Sequence, residues 1–504
     1  MENAAIIELT STSLKFSMVN LIGGGYYKRL NTIKENIRYD EDIYEYETIG
    51  AQKLNETIKF LNYYKEFCDV NNIIKVYCFA SSLFGCIKNV KALFENVCDL
   101  TGFSFNVLTE EEELKFSYNA VLNSVEPSKA VLLYMNPHNS VVINFAKRNI
   151  LSSSAISVSP NILAYKYENT KKTASEVVDL MTEEVKAKLK ALNIEYNPEE
   201  VGFIGAGETF IALSKLVRKM TRYPFHQDNN MVITKENFDK ALKLLLDQGF
   251  DKTKKMSAIT DERLDILLSG FAVIKAFYEL YNIDQLYISV KEISDALISA
   301  KIIRESTSET NSTDVLEHSL QTIRYFFGYP ESNADWIYNI TFNLFKQMSI
   351  IHKLSRKHQK ALKIATFLYD CGKRVELNNF SQFSKEIIIN QRILGATHKD
   401  ILLAAFACQC QNLDNFPLAE WIKYKDILDE EDLLAVKKMG VLIRLADALD
   451  ITKQRKVYEI SCDLLGDIVI IKIKTNKDAS YEMYESVKVL PAFKKCFNKN
   501  FQII

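Results

Sequence analysis

Several features that would assign this 504-residue chain to a broad class of proteins are missing from it. The chain has nine cysteines but no Cys-x-x-Cys pair, and the closest two are Cys408 and Cys410. Unpaired cysteines scattered along a chain are typical of reduced core thiols, which indicates a cytoplasmic protein. The first residues lack a basic region followed by a long apolar one, so we expect no signal peptide. Apolar runs such as 401–408 are too short to span a bilayer.

An excess of charge of one sign is absent as well. The chain has 63 lysines and arginines against 64 aspartates and glutamates, which gives a net charge of -1. This balance indicates neither a nucleic acid nor a membrane surface as a partner, and an anionic substrate would need a locally basic groove. Hydrophobic residues make up 47% of the chain, enough for several packed cores.

Strand-like and helix-like segments alternate over the first 300 residues in two arrays of similar plan. Each array opens on a hairpin with a polar turn: AIIEL and LKFSMVNLI in the first, AVLLYM and VVINFA in the second. The repetition predicts an α/β fold with two lobes, residues 1–125 and 126–304, and a cleft between them.

The texture of the sequence changes after residue 300. A polar stretch at 305–313 is typical of a linker, and long helical patterns predict a helical domain over 305–455. The alternating segment GDIVIIKIKT then predicts a small α+β segment over 456–504.

The polar turn of the first hairpin contains hydroxyl residues where phosphate-binding turns contain glycine. Its residues are Thr10, Ser11, Thr12 and Ser13. Glycine lets backbone N–H groups approach a phosphate and allows positive φ, whereas a β-branched threonine makes that geometry costly. The hydroxyl groups could still donate hydrogen bonds to an anion, and an ordinary hairpin turn is the alternative.

The order and spacing of these segments resemble the exopolyphosphatase/guanosine pentaphosphate phosphatase (Ppx/GppA) family over nearly the whole chain. The resemblance implies a two-lobed actin-like ATPase-type (ASKHA) fold followed by a helical HD-like domain. It also implies hydrolysis of phosphoanhydride bonds, with release of terminal phosphate from polyphosphate or pppGpp.

The opening stretch is similar to the family's first phosphate turn, AxDxGSNSxR. Glu8 takes the place of the acid and would be the magnesium ligand, while Thr10 replaces the glycine. The resemblance implies phosphate binding by Ser11, Ser13 and Lys15.

Two further stretches of the first lobe resemble family motifs. CFASSLFGCIKN is similar to ATSALREAxN, which implies that Ser81 binds phosphate, although Phe84 replaces the arginine. FNVLTEEEELKFSYNAV is similar to VISGxEEAxLxYxGV. There Glu113 takes the place of the glutamate that acts on the attacking water, with Glu112 beside it. A solvated first turn of a helix is the alternative for this acidic run.

The second lobe has lost more of the family pattern. In LLYMNPHNSVVI, Tyr134 replaces the metal-binding aspartate and residues 136–138 replace three glycines. Pro137 removes a donor N–H, so we expect no phosphate nest there, and we expect the lone turn residue His138 to be exposed. GFIGAGETFIAL is similar to GxGGTxxxLA, with Glu208 in place of a glycine. This match implies phosphate binding by Gly205, Gly207 and Thr209. A later helix shares Arg263, Asp265 and Gly270 with the family.

The helical half carries remnants of HD motifs. His318 and Asp370 match, Tyr369 stands in place of the motif histidine, and Asp447 could supply a late aspartate. One histidine and two acids make a poor metal site, so we expect no bound transition metal. A helical bundle without metal chemistry is the alternative.

Three functions stay open from the sequence. The first is a Ppx/GppA-type phosphatase homologue with weak or lost catalysis, dependent on Mg²⁺ if active. The second is a regulator that binds a guanosine nucleotide or polyphosphate without turnover. The third is a structural dimer subunit; a homodimer is expected in any case.

Overall fold

The computed structural model describes residues 2–504 except 23–25, 123, 126, 128, 148, 193–200, 258–263, 304–313, 329–332 and 411–415. Arg263, the predicted linker at 305–313 and the boundary at 304/305 lie outside the described residues. The chain divides into two compact units, Met1–Thr313 and Asp314–Ile504.

The first lobe of the first unit is a five-stranded sheet with helices, in the strand order β3-β2-β1-β4-β5. Strands β1 to β3 form an antiparallel meander, and β4 and β5 continue the sheet in parallel with β1. The strands are β1 (Glu2–Leu9), β2 (Ser13–Ile22), β3 (Tyr26–Asn36), β4 (Lys75–Ala80) and β5 (Phe105–Val107). The helices are α1 (Tyr39–Tyr46), α2 (Ala51–Val70), α3 (Val90–Thr101) and α4 (Glu110–Leu122), with a 3₁₀ turn at Ser82–Cys86.

The second lobe is a six-stranded sheet with the strand order β10-β11-β9-β6-β7-β8. Its strands are β6 (Lys129–Met135), β7 (Ser140–Ala146), β8 (Asn149–Ile156), β9 (Gly202–Ala206), β10 (Val232–Thr234) and β11 (Gln285–Ser289). Its helices are α5 (Pro160–Tyr167), α6 (Ala174–Lys190), α7 (Glu208–Thr221), α8 (Lys235–Ser257), α9 (Leu264–Tyr281) and α10 (Ile293–Leu297), followed by a π-helical turn at Ile298–Ile303.

The two sheets repeat one topology. In each, an antiparallel three-stranded meander is extended by parallel strands on the side of its first strand: β4 and β5 beside β1, β9 and β11 beside β6. Strand β10 is the addition in the second lobe. This repeated strand order confirms the two-lobed α/β architecture predicted from the sequence.

The central strands β1 and β6 are buried on both faces, which explains their near-continuous apolar runs. Alternate residues of β1 and β6 meet in one apolar cluster that includes Ile6 and Leu132. The opposite face of β1 packs against the helices of the first lobe, and that of β6 against the helices of the second. A core shared by both sheets therefore lies below the cleft.

The second unit is helical and ends in a small sheet. Its helices are α11 (Val315–Phe327), α12 (Ala334–Gln347), α13 (Ser349–His352), α14 (Gln359–Leu368), α15 (Phe380–Asn390), α16 (His398–Gln409), α17 (Leu418–Ile422) and α18 (Glu430–Ala448). Strands β12 (Val457–Leu465), β13 (Ile468–Thr475) and β14 (Asn500–Ile503) enclose helices α19 (Ser480–Val487) and α20 (Leu490–Phe497) in the chain order. Among the described residues, no helix combines the length and apolar character needed to cross a membrane.

Candidate functional site

The carboxyl ends of the central strands of both lobes meet at one cleft of about 990 Å³, its open mouth included. Strand β1 ends beside β4 and strand β6 beside β9, so the residues that follow these strands face one another. Seven of the residues implicated by the sequence line this cleft: Glu8, Ser13, Lys15, Ser81, Glu113, Gly207 and Thr209.

Three other implicated residues do not line the cleft. Ser11 is fully buried behind the first turn. Glu112 caps helix α4, because its carboxylate accepts hydrogen bonds from the N–H and hydroxyl of Thr109 at 2.9 and 3.2 Å. Gly205 lies inside strand β9, where a Cβ atom would be 2.3 Å from the Phe210 ring. The positions of Glu112 and Gly205 therefore have structural explanations that need no ligand.

The first turn uses a side chain where a phosphate-binding turn would use a ligand. The Thr10 hydroxyl accepts hydrogen bonds from the backbone N–H groups of Thr12 and Ser13, at 3.3 and 3.0 Å. It also lies 3.0 Å from the Ser13 hydroxyl. None of residues Thr10 to Ser13 has a positive φ. The two N–H groups that could hold an anion are thus engaged within the turn.

The candidate catalytic carboxylate, Glu113, is buried in the wall of the cleft and held by two neighbours. Its Oε2 atom accepts hydrogen bonds from the Ser82 N–H at 3.2 Å and from the Ser82 hydroxyl. The His138 Nε2 atom of the other lobe lies 3.5 Å from the same oxygen. Burial works to raise the pKa of Glu113, but His138 and Ser82 outweigh it, so this pKa lies below its usual value.

The prediction that His138 is exposed is wrong, because its side chain is 9% exposed and lines the cleft. A buried imidazole beside a buried carboxylate offsets the cost of burying the charge. Phe84 is fully buried against Tyr39 and Phe94, so the ring that replaces the arginine belongs to the core of the first lobe.

The second turn is closed by its own asparagines. The Asn136 N–H donates to the Asn139 carbonyl at 2.9 Å, and the two side-chain amides are joined at 2.9 Å. The Pro137 carbonyl accepts a hydrogen bond from the Ser159 hydroxyl at 2.6 Å. The hydrogen bonds of this turn are therefore made within the turn and with Ser159.

The residues at the expected magnesium position do not fit a magnesium ion. Glu8 is opposite Lys15 in the register of β1 and β2, so an ammonium group neighbours the one carboxylate. Tyr134 is hydrogen-bonded to the backbone of Ile293, and burial raises the pKa of its phenol well above the usual range. Among the described residues, no three His, Cys, Asp or Glu side chains group closely enough to hold a metal ion. Mg²⁺ prefers several oxygen ligands, which this corner of the cleft does not offer.

The glycine turn before helix α7 keeps its backbone shape but gains a carboxylate. Gly207 has a φ of +112°, and a Cβ atom there would lie 2.4 Å from the Met135 carbonyl oxygen. Only glycine allows this close approach. The next residue, Glu208, starts helix α7 and forms an ion pair with Lys34 of strand β3, across the cleft.

A second group of charges joins the lobes beside this pair. Lys15 forms an ion pair with Glu292, and Arg29 of β3 lies 3.2 Å from Asp295. Burial lowers the pKa of Lys15 to about 8, against the effect of the Glu8 charge. Burial opposes ionisation of Asp295, but Lys291 and Arg29 hold its pKa at about 2. The cleft is therefore rich in charge that is already paired.

Several residues of the site escaped the sequence reasoning: Lys34, Ser82, Glu208 as an ion-pair partner, and Glu292. Strand β3 contains Arg29 and Lys34 in a polar stretch that has no family motif to draw attention to it. Lys291 and Glu292 stand in the stretch QLYISVKEISDALI. The charges in these two segments were the available signal, but their meeting depends on the closure of the lobes.

In the second unit, the predicted HD remnants lie on or directly after three helices. His318 lies on α11, Asp370 is fully buried after α14, and Asp447 lies on α18. The Tyr369 hydroxyl donates to Asp447 at 2.6 Å, and the Lys453 ammonium lies 2.6 Å from the same oxygen. A lysine and a tyrosine thus satisfy the late aspartate. The HD-like assignment stays a prediction.

Comparison with known proteins identifies the fold of the first unit. A family model, the Ppx/GppA phosphatase family, matches residues 19–295. A search of curated proteins gave no match. The chain is similar to the solved structure of an Aquifex aeolicus Ppx/GppA family member, with 17% identity, a TM-score of 0.52, and coverage of 61% of this chain and 99% of that chain. It is also similar to an exopolyphosphatase from Cytophaga hutchinsonii, with 12% identity, a TM-score of 0.54, and coverage of 61% and 100%.

At these low sequence identities the solved structures show the fold alone, and they confirm the predicted two-lobed actin-like architecture. The matched segment covers more than half of the sequence. It begins within strand β2 and ends within helix α10, so it contains both lobes except most of the first hairpin and the last turns. The chain belongs to the Ppx/GppA phosphatase family.

Proposed function

We propose that this chain is a Ppx/GppA-type phosphatase homologue whose cleft hydrolyses polyphosphate or guanosine pentaphosphate weakly or not at all. One observation carries the proposal: the three lysines that line the cleft each contact a carboxylate of the chain itself. The pairs are Lys15 with Glu292, Lys34 with Glu208, and Lys291 with Asp295. A phosphate chain would have to compete with these carboxylates for every lysine.

The chemistry of phosphoryl transfer explains why such pairing matters. Catalysis depends on donors and cations aimed at the charge that spreads over the transferred phosphoryl group. Loss of one such donor costs about 10²–10³ in rate. The N–H groups of Thr12 and Ser13 serve the Thr10 hydroxyl instead, so these two backbone donors of the first turn are engaged, as are the three cleft lysines.

Glu113 is the residue that we propose would orient an attacking water if hydrolysis occurs. A lowered pKa keeps its carboxylate ionised at neutral pH, so it can accept a hydrogen bond from water. The same lowered pKa makes it a weaker general base, because proton transfer is favoured when the pKa lies near the working pH. The residues near Glu8 do not fit a magnesium ion, so the proposed role of Glu113 does not depend on one.

A second candidate, ligand binding without turnover, is favoured by two buried polar atoms in the same cleft. The Ser81 hydroxyl and the His138 Nδ1 atom line it without a hydrogen-bond partner among the described residues. Buried polar atoms normally have a partner, so a bound ligand would satisfy them. Guanosine nucleotides and polyphosphate are the ligands to test first. The proposed homodimer and the HD-like second unit would then serve regulation.

A phosphate-release assay tests the proposal. Polyphosphate and pppGpp are incubated with the wild-type chain and with Glu113→Gln, with and without Mg²⁺. We expect release by the two proteins to differ by less than about tenfold, since most transition-state donors are engaged elsewhere. A wild-type rate that falls by about 10²–10³ in the variant would show a working hydrolase and contradict the proposal. Calorimetry with the same ligands reports binding without turnover.

A further inference from the structure

We propose that Glu208 determines the specificity of the cleft: its carboxylate is a built-in anion that keeps polyanionic ligands out. The inference rests on the proposed function, since it concerns the same cleft, and it explains which ligands that cleft rejects. The contacts of Glu208, the pairing and exposure of the neighbouring lysines, and the backbone at Glu208 support this inference.

Glu208 lies next to two features that attract an anion, the start of helix α7 and the ammonium group of Lys34. It is the first residue of the 14-residue helix α7, where unsatisfied N–H groups give a partial positive charge. Its carboxylate also forms the ion pair with Lys34 of the other lobe. The Glu208 and Lys34 side chains are 36% and 30% exposed, so the pair stands at the mouth of the cleft. One carboxylate therefore stands at a helix start and is paired with an ammonium group.

The other two lysines of the cleft are less exposed than Lys34 and are paired as well, so a polyanion would not bind them more easily. Lys15 is nearly buried and lies against Glu292, and a buried ammonium group depends on such a partner. Lys291 lies 3.0 Å from Asp295, whose pKa of about 2 keeps it ionised. Lys34 is thus the most exposed of the three cleft lysines, and Glu208 controls access to it.

A ligand with several negative charges meets a double cost at this point. It must displace the Glu208 carboxylate from Lys34, or it must bind beside that carboxylate and suffer repulsion. Like charges placed together are an effective way to reject a ligand. Neutralising Glu208 removes the repulsion and also takes a competing negative charge away from Lys34.

Calorimetric titration with inorganic tripolyphosphate tests the inference on the full chain. EDTA is present and magnesium absent, so binding is read without turnover, and failure of the proposed function does not affect the readout. Glu208→Gln is expected to bind tripolyphosphate about tenfold more tightly than the wild type, the gain of one charge-assisted contact. Glu279→Gln is the matched control, because Glu279 pairs with Lys186 at similar exposure, 34%, and does not line the cleft.

A double variant separates the specific mechanism from a general loss of negative charge. Lys34→Gln combined with Glu208→Gln should return the affinity for tripolyphosphate to the wild-type range, because the Lys34 ammonium group that would contact the ligand is absent. The inference is overturned if Glu208→Gln binds no better than Glu279→Gln, or if its gain survives the loss of Lys34. Glu208→Ser, which leaves a neutral residue suited to a helix start, is a second variant with the same expected gain. Thermal unfolding of each protein confirms that it is folded.

Discussion

At the scale of single residues, side chains of the chain itself contact the polar and charged groups of the cleft. Thr10 offers a hydroxyl oxygen to two backbone N–H groups of the first turn. Glu208, the first residue of helix α7, forms an ion pair with Lys34. The His138 Nε2 atom lies 3.5 Å from the carboxylate of the buried Glu113. The Thr10 hydroxyl satisfies N–H groups of the turn that would otherwise lack a partner within it, which would be costly.

The contribution of the Thr10 hydroxyl is measurable in the turn itself. Thr10→Ala removes the acceptor for the N–H groups of Thr12 and Ser13, and these should exchange with solvent deuterium about tenfold faster, the effect of losing one hydrogen bond. Thr10→Ser keeps the hydroxyl and should leave their exchange close to that of the wild type. Equal exchange in the alanine and serine variants would show that the hydroxyl does not hold the turn.

At the scale of strands and helices, much of the structure follows from local patterns. The hairpins β1–β2 and β6–β7 were predicted because apolar runs flank short polar turns. The strands β3 and β8 were not predicted. Strand β3 is polar and partly exposed, and β8 contains three consecutive serines, so neither shows the apolar pattern of a strand. Strand β3 is held by its pairing with β2, and strand β8 by its pairing with β7.

The same contrast applies to the site. Glu113 and Lys15 were found because each belongs to a motif within one continuous stretch. The partners of these residues, His138 and Glu292, come from the other lobe and more than twenty residues away in sequence. No local pattern predicts that Glu208 meets Lys34, because the contact exists only when two sheets close over a cleft. Gly207 was found, yet its close approach to the Met135 carbonyl also depends on that packing.

At the scale of the first unit, ion pairs of strand β3 with the second lobe join the lobes. Arg29→Gln should lower the free energy of unfolding by about 1–3 kcal/mol at pH 7, because it leaves the buried Asp295 with less compensation. The pKa of Asp295 is held at about 2 in the folded chain, below its usual 3.8. Its stabilising effect is therefore complete above pH 3.8 and is lost as the pH falls toward 2.

Denaturant unfolding between pH 7 and pH 2 checks this prediction. The difference between Arg29→Gln and the wild type should shrink over the lower part of that range. Arg218→Gln is the control, because Arg218 pairs with Asp228 inside the second lobe at 2.9 Å. Hydrogen exchange at Glu292 and Asp295 should rise in Arg29→Gln and stay unchanged in Arg218→Gln. A pH-independent deficit would argue against the role given to Asp295.

The central claim is that an actin-like cleft of the Ppx/GppA family has its phosphate-holding groups engaged by side chains of the chain itself. Its most direct test is phosphate release from polyphosphate by a variant that combines Thr10→Gly, Tyr134→Asp and Glu208→Gly, measured with Mg²⁺ beside the wild type. We predict a rise of at least about 10² in the variant, since it regains more than one transition-state donor, and its loss when Glu113→Gln is added. A folded variant that releases no more phosphate than the wild type would contradict the account.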